Sequence, residues 1–204
     1  VFTEYHYNPQ GIRVEQVVDD TDITNYLIDP DNPTGYAQPI EEWTGGTVPA
    51  VTYTIGEDII SQTDNGGTTK YLLYDGHGST RQLLNHALLD VDPADGIPET
   101  PEVTASYSYD AYGTLLGGNP AAGSSPGTRL LYAGEHFDEH AQHYYNRARW
   151  YNPQNGRFNR VDPHPGSNQD PQSLHKYLYC HANPVNAIDP SGLYSLGEML
   201  CVSM

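Results

Sequence analysis

Phenylalanine, methionine, cysteine and basic side chains are all scarce in this sequence. With 3 Phe and 2 Met against 17 Tyr, a core has to be built from Tyr, Leu, Ile and Val, which favours pleated sheet over packed helices. The 9 Lys plus Arg face 26 Asp plus Glu, a formal charge of −17. Such a surface repels phosphate backbones and anionic lipid, so neither nucleic acid nor a membrane is expected as partner. No run approaches the ~20 apolar residues that a spanning helix needs. Val1-Phe2-Thr3-Glu4 lacks the basic and apolar regions of a signal peptide, so a processed chain or an excerpt of a longer one is expected. Only Cys180 and Cys201 are present. One bridge in an oxidising compartment and two buried thiols fit them equally.

Glycine and proline, by contrast, are plentiful, 20 and 16 respectively, and they break every long segment. A phrase recurs between the breaks: Tyr5-His6-Tyr7-Asn8-Pro9-Gln10-Gly11, Leu72-Leu73-Tyr74-Asp75-Gly76-His77-Gly78 and Tyr107-Ser108-Tyr109-Asp110-Ala111-Tyr112-Gly113. Tyr residues two apart share a strand face, Asp or Asn opens a turn, and Gly three residues later relaxes the exit. Asp64-Asn65-Gly66-Gly67 adds the Asn-Gly hairpin signal. Strands are expected over 12–18, 24–28, 51–55, 58–63, 69–74, 80–84, 103–109, 129–133 and 143–151, with helix only in short pieces, 172–181 and 194–200. The expected fold is therefore all-β: consecutive antiparallel hairpins in a strongly twisted sheet, with short helical pieces near the C-terminus. Residues 1–46 read as an N-terminal strand arm, 47–193 as the main β domain and 194–204 as a tail. Leu72, Leu83, Tyr109, Leu131, Tyr145, Tyr151 and Tyr177 are the expected core or stacking positions.

The phrase Tyr74-Asp75-Gly76-His77-Gly78-Ser79-Thr80-Arg81 resembles the YD repeat of rearrangement-hotspot (RHS) proteins. A longer likeness follows. Tyr144-Tyr145-Asn146-Arg147-Ala148-Arg149-Trp150-Tyr151-Asn152-Pro153, then Gly156-Arg157-Phe158, Asp162-Pro163, Asn183-Pro184-Val185-Asn186 and Asp189-Pro190-Ser191-Gly192-Leu193 are similar to the RHS core-associated C-terminal region. The likeness runs from about Tyr53 to Leu193. It implies a β ribbon of the kind that winds into a shell around a C-terminal effector. It also implies that Asp162 and Asp189 form an aspartyl pair cutting at Leu193–Tyr194, with Arg160 positioning a carboxylate. Two close carboxylates sharing a proton suit that chemistry. The first motif, Asp162-Pro163-His164-Pro165-Gly166, departs from the family in lacking a Gly-Leu ending. Asp-Pro also opens ordinary turns, and both readings stay open here.

Other candidates carry bland alternatives beside them. Asp90, Asp92 and Asp95 gather oxygen ligands of the kind calcium selects, and equally suit a solvated hairpin tip. His136, His140 and His143 have helical metal-ligand spacing in a segment expected to be strand. Arg147, Arg149, Arg157 and Arg160 sit among aromatic residues, where stacking and internal ion pairs are expected; alternation puts Arg147 and Arg149 on one face. Two function classes follow. The first is a structural, extracellular or cell-surface subunit, homo-oligomeric or polymeric, extending by strand pairing of the 1–46 arm into a fibre or shell. The second is an RHS core that cleaves itself after Leu193 to release or enclose an effector. No cofactor beyond calcium and no small-molecule substrate is expected in either case.

Overall fold

A computed structural model describes residues 1–85, 102–116 and 126–193. Within them lie two antiparallel sheets. The larger is a nine-stranded meander in chain order: β1 (Thr3–Tyr7), β2 (Arg13–Val18), β3 (Asp22–Asp29), β4 (Gln38–Trp43), β5 (Val51–Ile55), β6 (Ile59–Asp64), β7 (Thr69–Tyr74), β8 (Thr80–Asn85) and β9 (Glu102–Ser106). The smaller is β10 (His136–Asp138), β11 (His143–Asn146), β12 (Arg149–Asn152) and β13 (Arg157–Phe158). The all-β reading with short helical pieces is thus what the chain adopts. The 194–200 helix and Cys201 lie outside the described residues, as do Asp90, Asp92 and Asp95.

One local device builds the hairpins. Asn8, Asp64, Asp75 and Asp110 each accept two backbone N–H groups on a single side-chain oxygen, from the residues two and four positions on, at 2.8–3.1 Å. The carboxylate or amide replaces turn-closing partners that solvent would otherwise supply. At Gly113, the exit residue of one such turn, φ is +89° and a Cβ would meet the Tyr132 ring at 2.5 Å, so the position requires glycine for both conformation and space.

Several segments differ from expectation. β4 lies in the breaker-rich stretch after Asp29; its Pro39 sits beside a β-bulge between Leu27 and Ile28, where a missing N–H costs no regular ladder bond. β4 pairs with β5 through Glu41↔Thr52 and Glu42↔Val51, so residues 1–46 and the strands after them share one sheet. The stretch 143–151 is two strands, because Arg147 at φ 52° turns the chain between β11 and β12. Arg147 therefore lies in the turn and Arg149 begins the next strand, so the two do not share a strand face. In place of a 129–133 strand there is a single bridge, Leu130↔His136, and a tight turn at Tyr132–Gly134. The 172–181 helix is reduced to two single 3-10 turns, Pro171–Leu174 and Cys180–Ala182.

The core joins the sheets. Tyr53, Ile59, Leu72 and Leu83 of the large sheet pack with Leu131, Tyr132, Phe137, Tyr144, Tyr151, Phe158 and Tyr179. Tyr is usable here because the hydroxyl tips find backbone carbonyls: Tyr144 donates to Gly113 at 2.9 Å, Tyr151 to Tyr112 at 2.7 Å, and Tyr109 to Thr80 at 2.7 Å. Of the expected core positions, Leu72, Leu83, Leu131, Tyr145 and Tyr151 are buried and Tyr109 packs against the cluster. Tyr177 is 40% exposed; the neighbouring Tyr179 is the buried ring, stacked on Tyr151 at 3.9 Å between centroids.

A buried ionic layer also crosses between the sheets. Glu42 on β4 accepts from Tyr53 at 2.7 Å and contacts His136 at 3.2 Å and Arg129 at 3.6 Å. Arg13 on β2 lies 2.9 Å from the other ring nitrogen of His136 and 3.9 Å from Asp138, its guanidinium over the rings of Tyr26 and Tyr145. Burial opposes the Glu42 charge, yet Arg129, His136 and Tyr53 hold its carboxyl down at about 2. Burial and Arg13 push His136 down to about 4, against the pull of Glu42. His136 is therefore neutral at ordinary pH and serves as a hydrogen-bonding core residue. No group of three His, Cys, Asp or Glu side chains among the described residues is placed to hold a metal.

Candidate functional site

The β11–β12 hairpin organises the end of the described chain. Residues 189–193 lie along it. Asn146 donates to the Asp189 carbonyl at 2.6 Å, Ala148 N–H to Ser191 at 3.2 Å, and Arg147 to Pro190 at 2.6 Å. Arg147 also pairs with Glu135 at 2.5 Å. Burial nonetheless pushes the Glu135 carboxyl up to about 7, Arg147 only partly opposing it.

Arg149, at the start of β12, is 3% exposed and carries the centre of the site. Its Nη2 lies 2.9 Å from Asp162 Oδ2 and 3.8 Å from Asp189 Oδ2. Its Nε donates to the Gly192 carbonyl and its Nη1 to the Lys176 carbonyl at 3.3 Å. The guanidinium also covers the Phe158 ring at 3.8 Å. Burial lowers the Arg149 pKa while Asp162 and Asp189 oppose that fall; a guanidinium in this setting stays charged.

The two aspartates differ in setting. Asp189 is buried, and its Oδ1 accepts from Ser191 Oγ at 3.0 Å and from Leu193 N–H at 3.1 Å. The Asp162 side chain is one-fifth exposed, and its Oδ1 accepts from His164 N–H at 2.8 Å. Asp162 thus opens a turn and at the same time presents its second oxygen to Arg149. A cavity of about 240 Å³ lies against the group, lined by Arg149, Asp162, Asp189 and Leu193 with His164, His175 and other polar residues.

Asp162 and Asp189 are therefore brought together, and Leu193 lies beside them. Arg160 is exposed; the cation that meets both carboxylates is Arg149. The sequence carries no signal that separates the two, because Arg160 is two residues from Asp162 along the chain while Arg149, between Ala148 and Trp150, meets it only through the fold. Of the four arginines expected to stack and pair inside the fold, Arg147 over Tyr36 and Arg149 over Phe158 do so, whereas Arg157 and Arg160 are exposed.

The fold and its relatives define a class: the chain is RHS-related, in the coarse sense that it is similar to RHS-type toxin polypeptides. It is 32% identical over 198 residues to the tRNA3(Ser)-specific nuclease WapA of Bacillus spizizenii, covering 94% of this chain and 7% of that protein. It is 27% identical over 195 residues to the double-stranded DNA deaminase toxin A of Burkholderia cenocepacia, covering 92% of this chain and 12% of the toxin. The TcdB2-TccC3 crystal structure shares the fold at TM-score 0.58 and 18% identity, over 94% of this chain and 9% of that one. No family model matches.

These relatives correct two expectations. A self-assembling structural subunit of a fibre or filament does not fit relatives named as nucleases and as a deaminase toxin. Nor do the expectations of no nucleic acid partner and no small-molecule substrate, since tRNA and double-stranded DNA appear in those relatives' names. The charge argument went astray by extending to a whole polypeptide what a net charge of −17 says of 204 residues.

Proposed function

We propose that this chain is the self-processing segment of a toxin polypeptide directed at nucleic acid, a YD-repeat, RHS core-associated region that cuts its own backbone between Leu193 and Tyr194. The observation that carries the reading is the meeting of Asp162 and Asp189 on one nitrogen of Arg149, with Asp189 bonded to the Leu193 N–H. The relatives support the toxin context. One segment is common to a protein named for tRNA cleavage and another named for DNA deamination, so a function shared through this segment has to serve both chemistries. Release of whatever follows Leu193 would do so. Action on nucleic acid then belongs to the polypeptide, which works outside the producing cell or at its surface.

The chemistry is hydrolysis. One carboxylate takes a proton from water as its oxygen attacks the Leu193 carbonyl carbon, and the other, carrying the shared proton, protonates the departing amine. The C–N bond breaks, leaving a Leu193 carboxylate and a Tyr194 amine. Expressing a version extended beyond Met204 tests this. A cut after Leu193, read by gel and by mass of the products, is expected in the wild type and not in Asp162→Asn or Asp189→Asn. An uncut wild type, or a cut indifferent to both substitutions, would overturn the reading.

A further inference from the structure

Arg149 has more partners than charge neutralisation requires. One carboxylate would suffice to compensate a buried guanidinium, yet this one joins two carboxylates to the backbone carbonyl of Gly192, the residue before Leu193. Its donors lie in one rigid plane, so fixing any of them fixes the rest. The flat face is held too, by the Phe158 ring.

Gly192 is the matching half of the arrangement. Its φ is +70°, and a Cβ there would lie 2.2 Å from the Asn146 carbonyl oxygen and 3.0 Å from the Arg149 amide nitrogen. Both obstacles are backbone atoms of the β11–β12 hairpin and cannot swing aside. Only glycine enters the slot that delivers its carbonyl to Arg149.

We infer that Arg149 is the positioning residue of the self-cleavage site, holding Asp162, Asp189 and the Gly192 peptide around one guanidinium so that the carboxylates and the Leu193 carbonyl stay in register. The inference rests on the self-cleavage reading above. Arg149 has two separable effects. Its fork fixes geometry, and fixed geometry governs the rate at which a held bond reacts. Its charge stands 2.9 Å and 3.8 Å from two carboxylates, so removing that charge changes the pH dependence of a cut that needs them. The other titratable groups lining the cavity, His164, Asp170, His175 and His181, are common to wild type and variants and leave that difference intact.

The extended chain carrying Arg149→Gln or Arg149→Lys separates these effects, with cleavage half-time measured from about pH 4 to pH 9 and folding checked by circular dichroism and thermal melting. Arg149→Gln is expected to slow the cut ~10–100-fold and to move the pH profile upward by about one unit. Arg149→Lys keeps the charge without the fork, and should slow the cut with its profile unmoved. A folded Arg149→Gln chain that matches wild type, or is slowed with its profile unmoved, would overturn the inference, the latter because a merely structural arginine has no hold on the profile. Should Arg149→Gln fail to fold, Arg149→Lys decides: wild-type rate overturns the inference and a slowed cut with the wild-type profile upholds it. An uncut wild type brings down the self-cleavage reading itself, whereas a wild-type cut lost in Asp162→Asn but indifferent to both Arg149 variants brings down this inference alone.

Discussion

The two sheets solve the same problem in opposite ways. In the nine-stranded sheet burial is one-sided: Tyr26 and Leu72 are covered while Leu27 and Leu73 beside them are 49% and 42% exposed. In the four-stranded sheet nearly every residue is covered, all three of β10 and three of four in each of β11 and β12. A half-buried sheet needs only alternation and good turns, both of which are local. A fully covered one needs every polar atom partnered, so it draws on distant groups: Tyr144 reaches Gly113, and Arg149 reaches Asp162, Asp189 and Gly192.

The contrast is sharpest at aromatic positions. Tyr151→Ala in the small sheet removes a ring stacked on Tyr179 and a bond to Tyr112, and should cost about 3–5 kcal/mol in urea unfolding. A loss under ~1 kcal/mol would mean that the small sheet is not the tightly packed region.

The ionic layer between the sheets gives an intermediate effect, one that depends on pH. His136 is held below its unfolded value, so the unfolded chain binds more protons between about 6.5 and 4; stability is therefore lost as pH falls through that window. Glu42, also held low, removes more as pH falls from about 4.5 toward 2. Glu135 works in the other direction, since its raised carboxyl makes stability decline as pH rises from about 4.5 to 7. In His136→Gln the drop in unfolding free energy between pH 6.5 and pH 4.5, from urea titration, should shrink relative to wild type by about 1–2 kcal/mol. An unchanged drop would mean that this layer does not couple the sheets to protons.

Leu73→Ala, on the open face of the large sheet, should change stability by no more than about 0.5 kcal/mol. A larger loss would show that the exposed face is covered in solution and that the two sheets are more alike than they look.

What could be read from the sequence follows the same division. The turns at Asn8, Asp64, Asp75 and Asp110 were legible because each is complete within five residues, and the strands they separate followed from Tyr, Val and Ile alternation. β4 was hidden by Pro39, which reads as a breaker until the bulge opposite it is known. The β11–β12 turn was hidden because Arg147, without glycine or Asn-Gly, takes the left-handed conformation, held by its bonds to Ala37, Glu135 and Pro190. At the site, the Asp-Pro pairs were visible through resemblance. Which arginine served them was not, since Arg160 is the neighbour along the chain and Arg149 the neighbour in space.

The docking of residues 189–193 on the β11–β12 hairpin has a consequence for timing. Every strand of both sheets precedes Asp189 in the chain, and Asn146, Arg147 and Arg149 can grip that segment only after their own hairpin has closed. Hairpins close in microseconds once made, whereas a peptide chain emerges at ~5–20 residues per second. The last ligand of Arg149 thus arrives at a scaffold already built. If the proposed cut after Leu193 takes place, it waits on that arrival, and a chain whose β11–β12 hairpin is unmade would keep its backbone whole.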